Sequence, residues 1–315
     1  MSQPSAPPAE AAAPSARRPP PRPPIRLGRW IAASLFFAWL MVWSFTGVQG
    51  NLKDLFDNRD KMADTLGRML PPDITLVTDA KVYDVPPEVT LPQLLLPLPL
   101  DIDKAKAKEY WWVNTFPQTV VGATLQTIQM AVAGTSLALV VAFPFGFLAA
   151  RNTSPHPAVY HGVKLATNLL RTIPDIAWCL VLIAAVGLGP FAGTLALAFH
   201  TATVLIKLFA ESIENIDEGV VEALKATGAK HIQVLSFAVV PQVMPAFISF
   251  LLYRFETNIR AAAVLGLIGA GGIGFLMNTN FRMFQYPQAS MTVAVLIVLV
   301  MIVDYASAQL RKMVT

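Results

Sequence analysis

The sequence predicts an all-α integral membrane protein with about six transmembrane helices. Three observations lead there. Of 315 residues, 54% are hydrophobic and only 14% charged, and the mean hydropathy is +0.52, a balance suited to lipid rather than water as the solvent. Several runs free of charge approach or exceed the roughly 20 residues needed to cross a hydrocarbon core of about 30 Å. The segments between them carry basic side chains where the positive-inside rule would put the cytoplasm.

Taken in order, residues 1–25 are mostly Ala, Pro, Ser and Arg, too poor in large apolar groups to offset ordering entropy, and are expected to form a disordered cytoplasmic tail. Arg17, Arg18, Arg22, Arg26 and Arg29 precede the apolar run Trp30–Val48, opposed only by Glu10. That flank places the tail inside, and the run, within a first transmembrane segment 26–50, lacks a small-residue cleavage site and reads as a retained helix. Residues 51–117 are expected outside as an extracytoplasmic segment. They include the passage Leu91–Leu100, whose repeated prolines argue against a helix, and then Trp111-Trp112, suited to a membrane interface.

The transmembrane domain proper is expected at 118–315. No full charge occurs between Glu109 and Arg151, which predicts one long helix over about Thr119–Ala149, with Pro144 as a kink. Arg151, Lys164 and Arg171 come without any acid and mark a cytoplasmic segment. Ile176–Ile206 is again free of charge, with Gly187-Leu-Gly-Pro190 supplying a turn between two further helices. The polar, helix-favouring stretch Glu211–His231 follows. After it come an apolar run, Ile232–Tyr253, and a last helix centred on Met291–Val303, with Arg311-Lys312 beyond it. Both termini are then cytoplasmic.

Several function classes lose support. The net charge of +4 is small and unevenly placed, so nucleic acid is a poor partner. Cys179 is the single cysteine, which excludes an intrachain disulfide and a thiolate metal cluster. The histidines at 156, 161, 200 and 231 are scattered, so neither a catalytic group nor a metal site is expected. There is no G-x-x-x-x-G-K-[ST] nucleotide loop. An ion channel or a membrane scaffold remains an alternative on these grounds alone.

One constellation is more specific. Glu222-Ala223-Leu224, three residues, Gly228, nine residues, then Ala238-Val239-Val240-Pro241 resembles the cytoplasmic coupling motif of binding-protein-dependent ATP-binding-cassette permeases. The resemblance implies a type I importer permease fold whose coupling helix seats in a separate ATPase. Glu222 would interact with the docking surface, Ala223 permit close approach, and Gly228 let the chain bend ahead of Pro241. Leu224, Ala238 and Val240 depart from the commoner Ala, Ile and Leu. The alternative is an ordinary amphipathic interfacial helix before a proline-kinked span.

A second resemblance concerns cargo. The stretch Leu252–Gly274, with Gly269-Ala-Gly-Gly-Ile-Gly274 inside it, is similar to that of phosphonate permeases, as are Val186–Gly193 and Pro241–Pro245. It implies an importer of phosphonates, or of phosphate, phosphite or another small anion, in a bacterial inner membrane. The implied partners are an ATPase, an extracytoplasmic binding protein, a second permease copy or sister permease, and the lipid bilayer. The chain would bind no cofactor, ATP and magnesium being held by the ATPase. Gly269–Gly274 also spells a dinucleotide fingerprint, but no acid stands about 20 residues on. Gly266, Gly269, Gly271, Gly272 and Gly274 are expected to pack helices closely or to form a broken, gate-like backbone. Glu256 and Arg260, four residues apart, read either as a structural ion pair or, for Arg260 with Asn258, as the lining of a dianion passage.

Overall fold

The computed structural model describes residues 27–47, 56–95 and 101–314. The tail at 1–25 and the end of the proline-rich passage, 96–100, lie outside the described residues. The chain divides into two units, Met1–Met62 and Ala63–Thr315.

The first unit contains α1 (Leu27–Gly47). Its segment Ile31–Ser44 is apolar on every side, as a helix bathed in lipid requires, and Trp39 stacks on Trp43 with ring centroids 6.4 Å apart. The helix α2 (Arg59–Met69) follows.

The second unit is helical throughout, with no strand among the described residues. Before its long helices stands a small apolar cluster, Val89, Leu94 and Trp111, covered by Val85, Trp112 and Phe116, with α3 (Ile102–Tyr110) beside it. Trp111 and Trp112, expected at a membrane interface, are also part of this cluster. Each indole N–H donates to a backbone carbonyl within this cap, of Tyr83 at 2.7 Å and of Leu94 at 3.1 Å. Leu91–Leu95 forms one helical turn where prolines had argued against it, because Pro92 sits in the first turn, which needs no N–H from it.

The long helices are α4 (Val120–Ala149), α5 (Pro157–Arg171), α6 (Asp175–Val186), α7 (Pro190–Glu214), α8 (Glu218–Ala226), α9 (Val240–Gly266), α10 (Gly272–Arg282) and α11 (Tyr286–Val314). A turn at His231–Val234 runs into α9, giving a continuous helix His231–Gly266. Four of these pass the length and hydropathy needed to cross a bilayer: α4, α7, His231–Gly266 and α11. The two helices expected in Ile176–Ile206 are both present, the first of them short. The turn at Gly187–Pro190 is there, and α6 has only 12 residues, about 18 Å of rise, and meets α5 at 87° as a broken pair.

The helix α4 is the centre of the bundle. Thr119 caps it by accepting the Gly122 N–H at 3.0 Å, the N-cap role that short hydroxyl side chains serve best. Its small residues let α7 approach closely: a Cβ at Gly146 would come within 2.8 Å of Phe209. Phe209 in turn stacks on Phe247 of α9, centroids 3.8 Å apart and planes 11° from parallel.

Candidate functional site

Because α4 rises about 45 Å over its length, its two ends identify the two ends of the bundle. The cap lies at its start. At its end, Asn152 and Thr153 line a cleft of about 170 Å³ with Glu218, Glu222, Lys225, His231 and Val239, so the α8 region occupies the opposite end.

Local chemistry shapes that region. Asp217 caps α8 by accepting the Gly219 N–H at 2.9 Å. Gly228 adopts φ +80°, a left-handed conformation that a side chain disfavours, and donates its N–H to Lys225 at 3.0 Å. The chain then turns back into His231–Val234. At Leu235–Val239 the helix widens by one residue, the Val240 N–H bonding to Leu235 O. This places Pro241, which has no N–H to give, in the first turn of α9. The same device precedes Pro117, where the Phe116 N–H bonds to Trp111 O. Gln242 ties the pieces together, accepting from Asp217 N at 3.0 Å and donating to Ala238 O at 2.7 Å. Glu222 and Ala223 are exposed on α8, and Pro241 follows at the base of the long helix.

At the cap end, α9 stops at Gly266 and the chain reverses through Gly269, Gly271 and Gly272 into α10. Gly272 N–H donates to Gln126 Oε1 at 2.7 Å and Ile273 N–H to Thr127 Oγ1 at 2.9 Å, both on α4. At Gly274 an added Cβ would stand 1.8 Å from Ala263 O, so α9 and α10 are in backbone contact. The loop borders a cleft of about 550 Å³ shared with Asn114, Gln118, Gln126, Leu188 and Phe275.

Between these ends lie the charged candidates. Arg260 contacts Glu256 at 2.8 Å and Asp304 of α11 at 2.6 Å, and Arg311 contacts Glu256 at 3.0 Å. Asn258 is elsewhere. It is 1% exposed, accepts from Thr201 at 2.9 Å and donates to Thr135 at 2.8 Å, pinning α9 to α7 and α4. Asn258 and Arg260 do not share a face, as two-residue spacing on a helix dictates. The ion-pair network was incomplete in the sequence because its other half, Asp304 and Arg311, lies on another helix. Asp304 being the single acid after Glu256 was the available signal. Arg260→Ala leaves Asp304 without its partner, at a partly exposed site, and is expected to cost about 1 kcal/mol, or roughly 2–4 °C in the Tm of the purified protein. An unchanged Tm would show that the network contributes nothing to stability.

A profile of the family described as "Binding-protein-dependent transport system inner membrane component" matches residues 142–313. Over 188 residues the chain is 43% identical to a phosphite transport system permease protein of Stutzerimonas stutzeri, covering 60% of this chain and 68% of that one. It is 39% identical to a phosphate-import permease protein of Mycolicibacterium smegmatis, covering 62% of this chain but 37% of the relative. A third match, 47% identical, is a putative cryptic phosphonate transport system permease protein of Escherichia coli, with 38% and 97% covered. Among solved structures, an inward facing form of the MetNI methionine ABC transporter aligns with a TM-score of 0.55 at 20% identity, over 62% of this chain and 96% of that chain. At that identity the likeness concerns the fold alone.

Proposed function

Because this chain belongs to the family of binding-protein-dependent transport system inner membrane components, we propose that it is the permease subunit of an ATP-driven importer of phosphonates. The observation that carries the transport half of this reading is α8: an exposed, capped helix clamped by Gln242 to the base of a helix that continues to the glycine loop. Something that grips α8 moves α9 with it. The ATP is hydrolysed, with magnesium, on a separate ATPase that docks against Glu222 and Ala223. Its closure is passed on as a rigid-body movement that opens the bundle to one side and then to the other. The α8 end faces the cytoplasm, together with both termini. The cap faces outward, where a cargo-loaded binding protein delivers to the cleft beside the glycine loop. One such chain encloses half a pathway, and a second copy or a sister permease supplies the other half.

The cargo is proposed from the relatives, all three of which carry phosphorus oxyanions in their names. Phosphite or phosphate is the second reading, favoured by the longer stretches matched to those permeases. Growth of a strain deleted for this gene tests both. With 2-aminoethylphosphonate, phosphite or phosphate as sole phosphorus source, loss of growth on the phosphonate alone is expected. Loss on phosphite alone would move the assignment to phosphite, and normal growth on all three would withdraw the cargo.

A further inference from the structure

Among the described residues, three buried side-chain polar atoms have no hydrogen-bond partner: Trp178 Nε1, His200 Nδ1 and Arg254 Nε. They belong to α6, α7 and α9, which pack on one another. Arg254 reaches Thr201, the residue next to His200 on α7. Trp178 stands one turn along α6 from Asp175.

Arg254 is held from one side only. A terminal N–H donates to Thr201 Oγ1 at 3.2 Å, near the middle of α7. Thr201 donates to Asn258, Asn258 to Thr135, and Thr135 to the Ala131 carbonyl at 2.6 Å. Every link runs in the same direction, away from the guanidinium, so the chain fixes Arg254 without consuming its Nε–H. Among the described residues no carboxylate lies within ion-pair distance of Arg254, whereas Arg260 contacts two. A cation with an unspent donor inside a membrane bundle is costly. An anion passing through the bundle would supply the missing partner.

We propose that Arg254, with His200 beside it, is the transient contact for the cargo's oxyanion within the membrane, in place of Arg260. The guanidinium edge that Thr201 leaves unused receives oxygens of a tetrahedral phosphorus oxyanion, as its planar fork suits. The His200 ring nitrogen and, further along α6, the Trp178 indole lie on the same seam. This rests on the importer reading above.

The test uses the full complex of permease and ATPase in proteoliposomes, with 2-aminoethylphosphonate and phosphite as cargo. For Arg254→Gln, uptake is expected to fall at least about tenfold, the loss of one charge-assisted contact, while ATP hydrolysis stimulated by the loaded binding protein stays within about twofold. Arg254→Lys, which keeps charge without the fork, is expected to fall between the two. A parallel fall of uptake and hydrolysis would overturn the proposal in favour of a structural role, and so would wild-type uptake by Arg254→Gln. Should Arg254→Gln fail to assemble, His200→Leu decides: reduced uptake with normal assembly is expected, and unchanged uptake overturns the proposal. Absence of uptake by the wild-type complex would instead defeat the cargo reading, and the proposal with it.

Discussion

Replacing Gly274 by valine is expected to remove the folded permease from the membrane. The new Cβ would stand 1.8 Å from the carbonyl oxygen of Ala263 and 3.1 Å from the Cα of Gly266. Overpacked cores normally recover by rotating side chains, at about 1–3 kcal/mol. Here the obstacle is backbone in the last turn of α9, so relief requires the two helices to separate. Separation would break the bonds from Gly272 and Ile273 to α4 and open the cluster of Ala123, Ala263 and Ile273. Losses of that extent rival the roughly 5–15 kcal/mol that holds a typical domain together. Membrane-fraction yield and a monodisperse elution profile measure the outcome, with Gly162→Ala as a control, since nothing lies within 4 Å of a Cβ there. Wild-type yield from Gly274→Val would mean that α9 and α10 are not in backbone contact.

The second large effect is expected at Gly228, and it should separate insertion from coupling. Gly228 stands at φ +80°, and proline is fixed near −65°. The substitution also deletes the N–H that closes the end of α8 on Lys225. Because no span passes through this residue, Gly228→Pro should reach the membrane in normal amount, fail to co-purify with the ATPase, and lose uptake to background. Glu222→Ala keeps the backbone and removes one exposed carboxylate, so a partial, several-fold loss of uptake is expected. Co-purification of Gly228→Pro with the ATPase in the wild-type ratio would take the docking role away from α8.

How much of this was legible depended on where each constraint resides. The extent of α4 could be read closely, because a charge-free run is a local signal. The position of the α6–α7 turn was legible from its glycines and proline, but the length of α6 was not: hydropathy counts apolar residues without knowing that the helix ahead of Asp175 breaks away at 87°. The extent of α9 was hidden for another reason. Arg254, Glu256 and Arg260 interrupt its apolar run, and only the pairing of Glu256 and Arg260 with Arg311 and Asp304 on α11 makes their place in a long helix acceptable. The cap was invisible because Trp111 and Trp112 give the same composition at a membrane interface and in a small apolar cluster.

The bend at Gly228 and the helix start at Pro241 were legible from residue type, since both are local backbone preferences. Gln242, which binds α8 to α9, was not, because nothing in a glutamine predicts two backbone partners, one of them 25 residues away. The polar positions failed at a simpler point. Grouping Asn258 with Arg260 ignored the helical period, which sends neighbours two apart to different sides, and the donor left over on Arg254 becomes apparent only when every other hydrogen bond has been assigned.

The continuous helix from His231 to Gly266 has 36 residues, and its length sets a mechanical advantage. At 1.5 Å per residue it is a rod of about 54 Å, so a tilt of only about 10° about its inner end would swing the glycine loop through roughly 9 Å. A displacement that size exceeds the diameter of a small tetrahedral anion. Under the proposed function, a docked ATPase would have only to rock its end of the rod slightly, and the geometry of the lever would convert a small stroke there into an aperture at the far side.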